Sequence, residues 1–375
     1  MKKIQMVDLH SQYVKIKDEV QNGIHNVLES SAFIGGPDVK EFSTELADYL
    51  GVKHVIPCAN GTDALQIALM ALDLQPGDEV ITSDFTFAAT VEVIDLLRLK
   101  SVLVDVDENS FGIDPTKIEA SITPKTKAII PVHLFGQCAA MDEIMEIAQK
   151  HNLFVVEDTA QAIGAKYTHQ NGSVSRAGTI GHFGTTSFFP SKNLGCYGDG
   201  GALFTNDDQL AEKTRAIVNH GMKVRYYHDE IGVNSRLDSI QASVLRTKLK
   251  HLDTYIEARQ VAAAYYDEKF GESPNFEIPG RVSNSNHVFH QYTLRTNNLD
   301  RNALQKYLME KNVPAMIYYP VALHNQKAYT NDAYRDEHFP ITMKLCDTVI
   351  SLPMHTELDE EQLKFITESV LSFTN

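Results

Sequence analysis

Lys192 sits in the stretch Thr185-Thr-Ser-Phe-Phe-Pro-Ser-Lys-Asn-Leu-Gly-Cys-Tyr-Gly-Asp-Gly-Gly-Ala202, with small and aromatic residues before it and a glycine-rich turn after it. Most lysines are solvated surface charges. A single amine held in such a loop can instead form a Schiff base with an aldehyde, which is how pyridoxal phosphate is retained.

Other residues suit the same chemistry. Asp158 closes the apolar run Leu153-Phe-Val-Val-Glu157 and precedes Thr159-Ala-Gln161. A carboxylate at a buried strand end needs a partner, because an isolated buried charge is costly. A protonated pyridine nitrogen would serve, and Gln161 could then reach the phenolic oxygen of the same ring. Asp158 could equally cap the following helix. Asn60-Gly-Thr-Asp-Ala-Leu65 follows an apolar run and opens a helical one. Gly61 allows close backbone approach and Thr62 adds a hydroxyl beside free helix amides, a corner suited to phosphate; a plain helix cap is the other reading. Phe87, in Phe85-Thr-Phe-Ala-Ala-Thr90, can stack on a flat ring or belong to the core.

Several other chemistries are excluded. The run Gly195-Cys-Tyr-Gly-Asp-Gly-Gly201 lacks the G-x-G-x-x-G spacing, and no G-x-x-x-x-G-K-[ST] occurs, so dinucleotide and P-loop binding find no support. The 15 histidines show no HExxH, and no metal site is expected. Cys58, Cys138, Cys196 and Cys346 are scattered without a CxxC pair, as reduced thiols of a cytoplasmic protein would be.

These groups must be carried by a large scaffold. With 375 residues, 43% hydrophobic and 22% charged, the chain suits roughly two globular domains. Its 34 Lys plus Arg against 49 Asp plus Glu give a net charge of −15 and no basic cluster, which argues against nucleic-acid binding. No apolar run is long enough for a membrane span, and the start, Met1-Lys-Lys-Ile-Gln-Met-Val-Asp8, has no signal-peptide core.

Apolar β-rich runs alternate with amphipathic ones from about residue 53 to 220. Strands are predicted at Val55–Cys58, Glu79–Thr82, Val102–Asp105, Ala128–His133 and Leu153–Asp158, with helices at Asp63–Leu72, Ala88–Leu97, Pro115–Ser121 and Met141–His151. This pattern predicts an α/β fold with a mainly parallel sheet buried on both faces. One or two helices are expected from Asp238 to about Tyr266. Beyond them lie strands at His290–Leu294 and Ala315–Tyr318 and helices at Arg301–Lys311 and Asp359–Phe373. Residues 1–250, with an N-terminal helical segment, are expected to form the large domain and residues 251–375 a smaller α+β domain.

Taken in order, the motifs Asn60-Gly-Thr-Asp-Ala-Leu65, Phe85-Thr-Phe87, Glu157-Asp-Thr-Ala-Gln161, Ser187-Phe-Phe-Pro-Ser-Lys192, Gly198-Asp-Gly-Gly201 and Gly232-Val-Asn-Ser-Arg-Leu-Asp238 make the chain resemble, over nearly its whole length, the DegT-type sugar aminotransferases. These are pyridoxal-phosphate enzymes of fold type I, the aspartate aminotransferase-like fold. The resemblance implies that Lys192 forms the Schiff base, Asp158 pairs with the pyridine nitrogen, Gln161 meets the phenolic oxygen and Phe87 stacks on the ring. It further implies that Gly61, Thr62 and Ser187 hold the phosphate. Asn234 would complete that phosphate site from the neighbouring subunit of an obligate homodimer. Some members carry histidine in place of the lysine and deoxygenate; Lys192 implies amino transfer.

Within the family, Cys58–Ile67, Phe135-Gly-Gln-Cys138, Ser187–Asp207 and Ser351-Leu-Pro-Met-His355 are similar to enzymes that aminate C3 of UDP-2-acetamido-2-deoxy-3-oxo-glucuronate with L-glutamate, which leaves as 2-oxoglutarate. These enzymes serve surface polysaccharide synthesis. By the same likeness Arg236 would meet the carboxylate or phosphates of the UDP-sugar, bidentate recognition suiting a guanidinium. The family commonly has His-Tyr-Pro where this chain reads Tyr318-Tyr319-Pro320, which makes Tyr318 and Tyr319 candidate sugar contacts; Tyr318 donates a hydrogen bond but no positive charge. Other substrates of this type are dTDP-3-oxo-6-deoxyhexoses and 4-oxo sugar nucleotides, and a non-catalytic binding homologue is the reading from another class.

Overall fold

The computed structural model describes residues 2–374. Seven strands build the large sheet: β1 (His54–Cys58), β2 (Glu79–Ser83), β3 (Lys100–Val104), β4 (Thr126–Ile130), β5 (Phe154–Asp158), β6 (Phe183–Ser187) and β7 (Gly201–Thr205). Their spatial order is β1, β7, β6, β5, β4, β2, β3. From β6 to β3 every neighbouring pair is parallel, while β7 runs antiparallel to both β1 and β6. Helices cover both faces, and each face buries its own apolar cluster. That is why β2 and β7 are buried at every position, the polar Glu79, Thr82 and Ser83 of β2 included, rather than on alternate residues only. The α/β alternation expected from the sequence is therefore present, as is the mainly parallel sheet.

Differences fall where local pattern gives way to partners. β4 stops at Ile130 rather than running to His133, because Pro131 has no amide to donate; pairing resumes only as a single bridge between Val132 and Asp158. The helical stretch after Asp238 is two helices, Ser239–Leu249 and Leu252–Phe270. Ala315–Tyr318 is not a strand. Met316 alone bridges Ser351, and Pro314 and Pro320 bracket a stretch that leaves the small sheet for the large one.

The small sheet joins Phe276–Glu277, Tyr292–Thr296 and Val349–Leu352, all antiparallel, under helices Leu252–Phe270, Arg301–Glu310 and Glu360–Leu371. Ile4 packs into the same core, so the segment around it crosses to this side. We propose the division at residue 250 as the domain boundary, with that N-terminal crossing as a tie between the two parts. No helix among the described residues is long and apolar enough to cross a membrane.

Candidate active site

The carboxyl ends of β1, β2, β5 and β6 open onto one cavity of about 850 Å³, a volume that suits a cofactor-sized ligand. Open parallel sheets gather their functional groups at this end.

After β1 the chain enters the Gly61–Ala71 helix. The Asn60 side chain caps it by accepting from the Asp63 amide at 2.8 Å, which leaves the amides of Gly61 and Thr62 without partners inside the helix. A Cβ on Gly61 would fall 2.6 Å from the Ser187 Cβ, and one on Gly201 would fall 2.3 Å from the Asn60 carbonyl oxygen. Both positions therefore require glycine, and the close approach puts the helix N-terminus, Thr62 and Ser187 in one corner. Free amides, two hydroxyls and the positive end of the helix suit a phosphate.

Asp158 ends β5 and is buried. Backbone bonds fix it from both sides: its amide donates to Pro131 and its carbonyl accepts from His133. Its carboxylate accepts from the Thr90 hydroxyl at 2.9 Å and the Ala160 amide at 3.0 Å. Roughly half of its acceptor capacity is thus left for the cavity. Lys192 stands in the loop after β6, where its amide donates to Phe189 and the next residue, Asn193, is tied to the Val288 carbonyl at 2.9 Å. Burial lowers the Lys192 pKa to about 8, against a smaller upward pull from Asp158. Such an amine is partly neutral near physiological pH and available as a nucleophile.

The aromatic wall is Phe87, 58% exposed despite its position between sheet and helix, with Tyr319 tilted towards it at 6.3 Å. Gln161 is oriented by the Phe135 amide, which donates to its Oε1 at 2.8 Å; its Nε2 then donates to the Tyr319 hydroxyl at 3.1 Å, leaving a second N–H free. Phe135 itself holds a left-handed backbone, φ 58°, a local strain of the kind found at functional sites. Two buried polar atoms of the lining, Thr86 Oγ1 and His290 Nδ1, have no protein partner. Burial, then the nearby Lys192 and Arg259, push the His290 pKa well below its ordinary value, so its ring is neutral. The phosphate corner, the half-used carboxylate, the low-pKa amine and these orphaned polar atoms fit a flat, phosphorylated, carbonyl-bearing cofactor.

The cavity thus gathers Gly61, Thr62, Phe87, Asp158, Gln161, Ser187, Lys192, Tyr318 and Tyr319. It does not gather Asn234 or Arg236, which are exposed and outside its lining. Between them the buried Ser235 donates to Asp63 at 2.6 Å and accepts from the Ala59 amide at 2.9 Å. Their strip is thereby fastened behind the first turn of the Gly61–Ala71 helix. Sequence reasoning missed Thr90, whose role depends on a contact 68 residues away, and His290 with Gln291, delivered from the small sheet with no local motif.

The model of the DegT/DnrJ/EryC1/StrS aminotransferase family matches residues 14–371. The chain is 46% identical over 372 residues to the pleiotropic regulatory protein of Geobacillus stearothermophilus, covering 99% of this chain and 98% of that protein. It is also 46% identical over 367 residues to UDP-2-acetamido-2-deoxy-3-oxo-D-glucuronate aminotransferase of Pseudomonas aeruginosa, covering 97% and 98%. The crystal structure of NtdA from Bacillus subtilis with bound cofactor PMP superposes with a TM-score of 0.89 at 30% identity, covering 99% of this chain and 85% of that one.

Proposed function

The chain belongs to the DegT/DnrJ/EryC1/StrS aminotransferase family, and we propose that it moves the amino group of L-glutamate to C3 of a UDP-linked 3-oxo-2-acetamido uronic sugar in the cytoplasm, for surface polysaccharide synthesis. The observation that carries amino transfer is the pairing of a Lys192 amine at a pKa of about 8 with a half-used Asp158 carboxylate in one cavity, and the 46% identity to a UDP-2-acetamido-2-deoxy-3-oxo-D-glucuronate aminotransferase supports the sugar. The chemistry that pyridoxal phosphate supplies when bound is an aldehyde that captures amines and a ring that withdraws electrons from the captured carbon.

Lys192 would hold the aldehyde carbon of the cofactor, and its amine, lowered by burial to a pKa of about 8, is the group placed to move a proton at the substrate carbon. Asp158 would pair with the cofactor's pyridine nitrogen and favour its protonated form, and its bonds to Thr90 and Ala160 aim it. Gly61, Thr62 and Ser187 would anchor the phosphate, Phe87 would stack on the ring, and the free N–H of Gln161 would serve the phenolic oxygen. Tyr318 and Tyr319 face the sugar. Besides Lys192, no lysine or arginine among the described residues lines the cavity, whereas Asp63, Glu92, Asp158 and Asp199 do. A UDP-uronate therefore draws its cations from outside this chain's own pocket. That supports a homodimer in which Asn234 of the partner subunit completes the phosphate site and Arg236 of the partner subunit meets the sugar's anionic groups.

The reverse reaction tests the substrate: UDP-2-acetamido-3-amino-2,3-dideoxyglucuronate plus 2-oxoglutarate should yield glutamate. A charged hydrogen bond to the uronate contributes about 1.5–3 kcal/mol, so a dTDP-3-amino-6-deoxy sugar or a 4-amino UDP-sugar should be at least about tenfold slower. Equal rates across the panel would remove the uronate claim and leave amino transfer in place. Shared sites are tested by mixing Lys192→Ala with Asn234→Asp, each inactive alone. Refolded together they should regain activity, because hybrid dimers hold one unaltered site; inactive hybrids with proven exchange would mean that each site is built from one chain.

A further inference from the structure

Phe87 and Tyr319 reach the cavity from distant parts of the chain, one following β2 and the other in the irregular stretch after Met316. Asp84, the first residue after β2, joins them. Its buried carboxylate accepts from the His324 amide at 2.8 Å and from His324 Nδ1 at 2.7 Å, and its carbonyl accepts from the Leu323 amide at 3.2 Å. The other ring nitrogen of His324 reaches Asp336 at 3.0 Å, and the ring stacks on Phe339 at 4.5 Å. With a carboxylate on each nitrogen and an aromatic face beneath, the imidazole has one available orientation. Inside this clamp Phe85 meets Tyr319 edge-on at 5.9 Å, and the Tyr319 hydroxyl holds Gln161.

Amides next in sequence often satisfy a carboxylate at a strand end. Asp84 instead places both carboxylate oxygens on a residue 240 positions away, which ties the loop carrying Phe87 to the stretch carrying Tyr319. We propose that Asp84 and His324 are a positioning pair for the reaction: they fix Tyr319, and through it Gln161, at a set distance from Phe87, so that the substrate enters a preformed slot. The proposal rests on the aminotransferase reading of the cavity. Misplacing a reacting group by about 1 Å can cost about 10²-fold in rate, so the fastening matters even though neither residue touches substrate.

The test is a double-mutant cycle on the enzyme loaded with pyridoxal phosphate, reading kcat/KM for UDP-2-acetamido-3-amino-2,3-dideoxyglucuronate with 2-oxoglutarate. His324→Gln keeps a donor near Asp336 and loses the one to Asp84; His324→Asn keeps the donor to Asp84. Both preserve polarity in the buried site, and thermal midpoints show that each is folded. His324→Gln and Tyr319→Phe should each lower kcat/KM about tenfold or more, and together no further than the worse of the two within about threefold. His324→Asn should recover most of the loss at an equal or lower thermal midpoint, which a purely structural role would not produce. Multiplying effects in the double variant, or full activity in His324→Gln, would overturn the proposal. A silent Tyr319→Phe beside an inactive Lys192→Ala would sink the positioning pair and spare the site. An active Lys192→Ala would sink the site reading and the pair with it.

Discussion

Glu157 and Asp158 are neighbours on β5, and the pleat sends them to opposite faces of the sheet. Glu157 is completely occupied. Its oxygens accept from His133 Nε2 at 2.9 Å and from the amides of Gly178, Ile180 and Gly181 at 2.9, 2.7 and 2.6 Å. His133 in turn accepts from the Ala139 amide through Nδ1, which fixes its tautomer. Asp158, one residue on, accepts two bonds and faces a cavity. The same residue chemistry in the same strand therefore does two jobs. The back face uses its polar groups to lock the sheet end in place, while the cavity face leaves them partly unused for a ligand. Polar groups held in reserve are costly to a fold and useful to a reaction.

Substitutions should separate the two faces. The largest effect is expected at Lys192: Lys192→Met should lower turnover roughly 10⁴-fold or more, measured in the reverse assay. The same change should stabilise the cofactor-free protein. The folded-state pKa of about 8 lies below the unfolded value near 10.5, so burying the charged amine is a penalty fully present below pH 8 and fading between pH 8 and 10.5. Denaturant titrations should show the variant ahead by about 1–3 kcal/mol at pH 7, with the gap closing through that window. A variant less stable at pH 7 would remove Lys192 from the costly face.

Next comes the pair on β5. Asp158→Asn should lower turnover about 10²–10³-fold with little change in melting temperature, since both of its present bonds can still be accepted by the amide oxygen or replaced. Glu157→Gln should do the reverse. It turns an NH₂ towards donors and weakens a buried network, costing about 3 kcal/mol of stability while the folded fraction keeps most of its turnover. If both variants lost stability equally, the contrast between the faces would collapse.

The smallest effect is expected at Tyr318, where Phe removes only a hydroxyl that has no protein partner among the bonds described above. Tyr318→Phe should weaken sugar binding by about 0.5–1.5 kcal/mol, seen as a KM change of up to about tenfold, and leave stability unchanged. No change in KM would remove Tyr318 from the sugar contacts.

Much of this was legible in the chain because short-range physics governs it. Apolar runs separated by amphipathic ones gave β1 to β5 to within a few residues, and Asn60-Gly-Thr announced a helix N-terminus at the correct place. β6 and β7 were not read as strands: Phe183–Ser187 is made of small residues and threonines that carry little periodicity. The Ala315–Tyr318 run is apolar enough for a strand, but prolines on both sides and the pull of Asp84 on His324 draw it across to the cavity.

The sequence by itself determined the kind of sheet and the motifs whose parts lie within a few residues of one another: Lys192 in its loop, Asp158 at its strand end, Gly61 and Thr62 at their helix. Backbone propensity and side-chain period act over that range. Only the tertiary structure decided that these motifs share one cavity, that Thr90 takes one oxygen of Asp158, that Gln161 is turned by Phe135 towards Tyr319, and that Asn234 and Arg236 stay outside. Those outcomes depend on contacts between residues tens to hundreds of positions apart, and such contacts exist only after the layers have packed.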